Sequence, residues 1–339
     1  MTGVTEVLNA NPLPWLLEPD AATPGVRYFA LRDVLGLPAD HPEVVAARAR
    51  IMESGPVPAI LAAQEPEGYW GKPGAGYAPK YRGTVWSVMF LAQFGADGRD
   101  KRARRGGEYL LAHAQSKAGG FGTGATLSST IHCLWGNVTR ALLDLGFGGD
   151  PRLDVAIDQL ARSITGDGYG EYPRSGVVSP GFGCSVNSNL PCGWGAVRAL
   201  WALNAVPAEA RSAAVESAIA ASVEFLTAYN IARAEYPYDN RISQNWFKFG
   251  YPLGYVSDVL MVLEVLTEAG VVDGLDEAVE LVLSKQDEQG RWKLEYGYTS
   301  KMWINVERMG KPSKWITLRA LRVLARLDRV PGEWVALAA

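Results

Sequence analysis

Apolar positions recur at helical spacing along most of the chain, in segments that come in pairs. The first members of the pairs run from Tyr28 to Leu35, Thr84 to Phe94, His132 to Leu145, Gly193 to Leu203, Tyr255 to Ala269 and Trp315 to Leu327. The second members include Arg105 to Gln115, Leu153 to Ile164, Ala213 to Tyr229 and Leu275 to Gln286. Gly36, Gly95, Gly146 and Gly270 follow such segments, where a helix end favours a residue free to adopt positive φ. Sustained period-two alternation is lacking, so the pattern predicts an all-α protein. Trp86-Ser-Val-Met-Phe-Leu and Val197-Arg-Ala-Leu-Trp-Ala-Leu are apolar nearly all round, as in helices enclosed on every side. Trp135-Gly-Asn-Val and Gly181-Phe-Gly read as turn chemistry.

A short signature punctuates the second segments. It reads Gln64, Gly68, Trp70, then Gln115, Gly119, Phe121, then Gln286, Gly290, Trp292, with the same offsets each time. A weaker copy keeps Gly168 four residues after Ile164, and a further degenerate copy is expected near Tyr229. One hairpin cannot bury its apolar face alone, so the repeats must stack, either as an open solenoid or as a closed ring. The enclosed segments favour the ring, with five to six hairpins.

The Gln-x-x-x-Gly-x-Trp copies at Gln64 to Trp70 and Gln286 to Trp292 resemble the repeat of squalene-hopene cyclases and of protein prenyltransferase β subunits. The resemblance covers roughly residues 25–328 and implies an α/α toroid whose enclosed helices point their N-terminal ends at a central cavity for isoprenoid chains. It also implies that Gln64, Trp70, Gln286 and Trp292 are structural, tying neighbouring helices together. The reading gives an extension over 1–24, one domain over 25–330 and a tail over 331–339. The chain departs from the family in lacking an Asp-x-Asp-Asp acid and an Asp-Asp-x-x-Asp motif, so neither ionisation route to polyene cyclisation is expected.

Composition narrows the partners. Lys plus Arg is 33 against 36 for Asp plus Glu, a net charge of −3, which leaves no basic excess for a phosphate backbone and excludes nucleic acid as an expected partner. The N-terminus lacks a basic flank followed by an apolar run, and no uninterrupted apolar stretch reaches about 18 residues, so a cytoplasmic protein is expected. No Gly-rich nucleotide loop, nucleophile elbow or His-Glu-x-x-His run occurs.

Three constellations are candidates for chemistry. The only three cysteines, Cys133, Cys184 and Cys192, fall in neighbouring repeats beside His132; thiolates with an imidazole are what Zn²⁺ prefers, and small buried thiols or a nucleophilic thiol are the alternatives. Asp258, in a segment otherwise apolar, is a candidate acid or base, against the plainer reading of a first-turn carboxylate meeting the helix dipole; His132 and Tyr255 complete the candidate catalytic set. Lys80 and Lys314 precede enclosed segments and are candidates to hold an anionic group, against ordinary solvated charges. Tyr81, Trp86, Trp135, Trp194, Tyr251 and Trp315, near those entrances, are candidate walls for an apolar substrate. Together these predict a terpene cyclase-like or prenyltransferase-like enzyme on an isoprenoid-like or polycyclic apolar substrate, zinc-assisted. The alternatives are a zinc-dependent lyase or hydrolase and a non-catalytic toroid subunit, with a partner chain or homo-oligomer as the implied assembly.

Overall fold

A computed structural model describes residues 8–168, 178–239 and 243–336. The chain is all-α. Its helices are α1 (Leu13–Leu17), α2 (Pro24–Asp33), α3 (Pro42–Glu53), α4 (Pro56–Ala62), α5 (Thr84–Gln93), α6 (Lys101–His113) and α7 (His132–Asp144), followed by α8 (Pro151–Thr165), α9 (Gly193–Asn204), α10 (Ala213–Thr227), α11 (Val259–Glu268), α12 (Asp276–Leu283), α13 (Lys314–Arg326) and α14 (Gly332–Ala336). A two-stranded ribbon, β1 (Val178–Ser179) with β2 (Gly183–Cys184), is antiparallel, pairing Val178 with Cys184. Gly181-Phe-Gly makes its turn, as expected. Among the described residues no helix is long and apolar enough to cross a membrane.

Local chemistry sets the helix limits. Asp100, Asp150, Ser212, Asp258 and Ser313 each accept a hydrogen bond from a first-turn N–H, satisfying donors that have no partner within the helix. Proline opens α2, α3 and α8, where its missing N–H costs nothing. The four glycines expected after helix ends stand at φ 67°, 83°, 78° and 86°. Several boundaries differ: α2 begins at Pro24 and α6 at Lys101, each four residues before the expected start, while α11 begins at Val259, so Tyr255 precedes the helix and Asp258 caps it, because its carboxylate accepts from Met261 N–H at 2.7 Å.

The contacts fall into two compact units. One holds the described residues up to Ala59, Asn245–Pro252 and the chain from Asp258 onward. In it α11 packs on α12 and α13, and α13 packs on α2, so the two ends of the chain meet. The other spans Ile60–Gln244 with Leu253–Ser257. In it α5 packs on α7 and α7 on α9, while α10 covers α8 and α9. Every residue of α5 from Thr84 to Ala92 is buried, whereas α6 buries one stripe through Ala103, Gly106, Gly107, Leu110 and Leu111.

The repeated signature is a fastening. Gln64 Nε2 donates to Gly68 O and, at 2.9 Å, to Arg102 O in the first turn of α6. Gln115 Nε2 does the same to Gly119 O and, at 2.7 Å, to Arg152 O in α8. Trp70 Nε1 donates to Ile60 O and its N–H to Thr84 Oγ1; Trp292 repeats this with Val282 O and Thr317 Oγ1. Each copy thus ties a helix end to the following elements. A Cβ at Gly68 would lie 2.6 Å from Arg105 Cγ, and one at Gly119 2.6 Å from Val155 Cγ1, so the signature glycine is where the next helix presses in.

Trp135-Gly-Asn-Val, expected as a turn, lies inside α7. Gly136 is there for close approach: an added Cβ would sit 2.2 Å from Arg198 O. Gly195 answers from α9, its Cβ position 3.2 Å from His132 Cβ. The two helices therefore meet almost backbone to backbone.

Candidate functional site

The densest gathering of chemistry lies in the second unit, at the N-terminal ends of α5, α7 and α9. Three polar side chains, at the C-terminal end of α5 and within α7 and α9, suspend the segment 253–257. Gln93 Oε1 accepts from Leu253 N–H at 2.6 Å and its Nε2 donates to Leu253 O; Asn137 Nδ2 donates to Gly254 O at 3.0 Å; Arg198, fully buried, donates to Val256 O. A buried polar group costs free energy unless it is bonded, and here each bond fixes one peptide of the segment. Their product is the position of Tyr255.

Tyr255 closes an aromatic wall. Its ring meets Trp86 edge-on at 5.3 Å and Tyr77 at 6.4 Å; Tyr81 and Tyr77 approach Trp86 at 4.9 and 5.6 Å. Trp86 is held by donating Nε1–H to Tyr77 O at 2.9 Å. Tyr81 adopts φ 69°, a conformation costly for a bulky residue, which places its ring on the wall. Lys80 Nζ stands 5.2 Å from the Tyr81 ring centre, 5.3 Å from that of Tyr255 and 6.0 Å from that of Trp86, within cation–π range of three faces. The Tyr255 hydroxyl is buried and makes no close hydrogen bond, the Tyr77 hydroxyl being a looser neighbour. Burial, then the Cys133 and Tyr77 groups, holds its pKa far above the usual phenol range, so it stays protonated.

The thiols are close by. Cys133 lies in the first turn of α7, Cys192 caps α9 and Cys184 ends β2. Cys192 hydrogen-bonds Cys184, and with the Val186 and Asn187 N–H groups it holds the Cys184 thiol below the ordinary range against the opposing effect of burial. The same hydrogen bond and burial push Cys192 well above it, and burial carries Cys133 up to about 12. The Tyr238 hydroxyl, near enough to Cys192 to feel its charge, and Trp194 Nε1 are buried without partners.

His132 does not join the thiols. Its Nε2 lies 3.1 Å from Ser163 Oγ, which itself donates to Leu160 O, so Nε2 carries the proton and Nδ1 is left buried and unpartnered. Burial lowers its pKa to about 4. Among the described residues no group of three or more His, Cys, Asp or Glu side chains is placed to hold a metal ion. The set of Cys133, Cys184, Cys192 and His132 expected for Zn²⁺ is therefore not assembled.

The remaining sequence candidates have structural partners. Trp135 donates Nε1–H to Ala156 O in α8. In the first unit, Asp258 accepts from Met261 and Gly250 N–H and from both terminal nitrogens of Arg319, at 2.7–3.1 Å. Arg319 also holds Glu264 Oε2 at 2.7 Å and Gly250 O at 2.8 Å. This network gives Asp258 the work of a cap and an ion-pair partner. Lys314 Nζ lies 3.3 Å from Asp20 and 5.6 Å from the Trp15 ring centre. Tyr251 stacks on Trp315 at 4.4 Å.

Sequence reasoning passed over Gln93, Asn137 and Arg198. Part of the signal was present: Arg198 stands within a helix whose neighbouring residues are apolar, and an enclosed arginine needs partners. Comparison with family models and with curated proteins finds no match to this chain.

Proposed function

We propose that the chain is a terpene cyclase-like or prenyltransferase-like enzyme of α/α toroid form, acting on an isoprenoid-like or polycyclic apolar substrate at the Tyr77, Tyr81, Trp86 and Tyr255 wall. The meeting of α13 with α2 supports the toroid, since a ring of hairpins must bring its first and last members together. The buried Tyr255 hydroxyl carries the functional reading. A protonated donor fixed by three helices and engaged only loosely, by Tyr77, suits a polar group on an apolar ligand.

The chemistry follows from the groups at hand. A phenol with so raised a pKa is too weak an acid to protonate an isolated alkene, but it donates a hydrogen bond to an oxygen that gains negative charge. Lys80 supplies positive charge beside it, and the ring faces stabilise cationic carbon. The reaction is accordingly a transfer, or cleavage or hydration at a polarised group.

Farnesyl diphosphate, geranylgeraniol and squalene, titrated against tryptophan fluorescence, test this. The two oxygen-bearing probes should bind, and Tyr255→Phe should weaken them roughly 5- to 10-fold, the equivalent of one hydrogen bond, while leaving squalene unaffected. If none of the three binds, or if Tyr255→Phe weakens all three alike, the reading fails and a non-catalytic role is left.

A further inference from the structure

Lys80 is exposed, yet its ammonium folds back over the aromatic wall instead of reaching into water. Among the described residues Nζ makes no ion pair and donates no hydrogen bond, so ring faces are what hold it. Those faces form a corner. The Tyr81 plane is inclined by 57° to that of Trp86, and the Trp86 plane by 83° to that of Tyr255, so the three rings do not lie flat but surround one point. Trp86 is fully buried at the back, Tyr81 and Tyr255 are half-buried, and the exposed lysine marks the open side. Tyr77 stands against Trp86 and Tyr255 and braces both.

The spacing shows what the corner is sized for. Lys80 Nζ stands 5.2 Å from the Tyr81 centre, 5.3 Å from that of Tyr255 and 6.0 Å from that of Trp86. An unmethylated nitrogen in direct contact with a ring would lie nearer, at about the separation of two touching carbon atoms, 3.5–4.0 Å. A methyl carbon at that separation stands about 1.5 Å from its own nitrogen, so the nitrogen of a methylated ammonium belongs about 5.0–5.5 Å from each ring. Two of the three distances fall in that range. Chemistry agrees with size. A lysine ammonium carries three N–H donors that need acceptors, and the corner gives them none; a quaternary ammonium has no N–H to satisfy and is attracted by ring faces alone. Lysine is also a poor permanent occupant. Folding back costs it rotamer freedom of about the same size as the attraction that exposed ring faces return, so a soluble cation can take its place.

We propose that this corner binds a small organic ammonium ion bearing methyl groups, of the choline or tetramethylammonium type, and that Lys80 is a resident stand-in which the ligand displaces. Lys80 opposes such a ligand twice, by occupying its seat and by repelling its charge. The site shares Tyr81, Trp86 and Tyr255 with the isoprenoid reading but does not depend on it, because ring faces recognise the charge and no hydroxyl is needed.

Calorimetric titration of the full-length protein with choline chloride, and with 3,3-dimethylbutan-1-ol as the uncharged molecule of the same shape, separates charge from apolar fit. Choline should bind roughly 10-fold more tightly than the alcohol, or better. Lys80→Ala, at an exposed position, should bind choline roughly 5- to 10-fold more tightly than wild type; loss of a lysine that holds an anion would instead weaken farnesyl diphosphate. Tyr81→Leu, which removes one face, should weaken choline roughly 5- to 10-fold. Equal affinities for choline and the alcohol would overturn the proposal, as would a Lys80→Ala protein that binds choline no better than wild type. Phosphatidylcholine vesicles that bind where free choline does not would also overturn it, since the ligand would then be a membrane surface. These outcomes hold whether or not the three isoprenoid probes bind, so the two readings fail separately.

Discussion

Gly136→Ala puts the meeting of α7 and α9 to a test of sign. Alanine is the better helix former by about 1 kcal/mol, so at an open helical site the exchange stabilises. At Gly136 the new methyl would sit 2.2 Å from Arg198 O, 2.5 Å from its carbonyl carbon and 2.9 Å from Ala199 N. All three are backbone atoms, so no side chain can swing away. Restoring ordinary contact needs the helices to part by about 1 Å, and such overpacking costs about 1–3 kcal/mol or more. Parting them also pulls Arg198 from Val256 O and loosens the segment that carries Tyr255. The net expectation is a loss of about 1–3 kcal/mol, read as a lower urea midpoint at unchanged slope. Gly332→Ala is the control, since a Cβ there meets nothing within 4 Å. A Gly136→Ala protein as stable as wild type, or more so, would refute the close-approach argument.

Three further outcomes are expected. Arg319→Met leaves Asp258 and Glu264 as unpaired, largely buried carboxylates and should cost about 3–5 kcal/mol in denaturant unfolding; a loss under about 1 kcal/mol would mean that the network is idle. His132 has its folded pKa near 4, below the unfolded value of 6.5, so the unfolded chain binds its proton first and stability present above pH 6.5 is lost as pH falls towards 4. The loss should reach about 3 kcal/mol and shrink in His132→Gln; identical pH slopes for the two proteins would show that His132 does not titrate in this way. Tyr255→Phe removes a hydroxyl that makes only a loose contact with Tyr77, so thermal unfolding should report a change under about 1 kcal/mol, and a larger loss would reveal a tight bond to that oxygen.

The paired helical segments, their caps and the turn glycines could be read from the chain because each is settled by residues within a turn or two of one another. The signature was legible for the same reason, and its bonds to Arg102, Arg152, Thr84 and Thr317 fit the fastening role that the likeness to other repeats implied. Gly136 was misread since a glycine needed for a neighbour's backbone has the same letter as one needed for a turn. Asp258 illustrates a different limit: its environment depends on Arg319, 61 residues away, which periodicity does not place.

What the sequence determined by itself is therefore the all-α class, most of the paired helices in order, and the repeat that ties them, while α3 and α4 went unread. Only the tertiary structure decided which side chains meet. Successive residues on a helix point roughly 100° apart, so His132 and Cys133, neighbours in the chain, part company: one turns to Ser163 and the other towards the thiols. Gln93, Asn137 and Arg198 lie on three different helices, yet they act on one five-residue segment because packing brings the C-terminal end of α5 and the middles of α7 and α9 to it. Local spacing fixes direction around a helix axis; the distance between helices is set by what fills the gap.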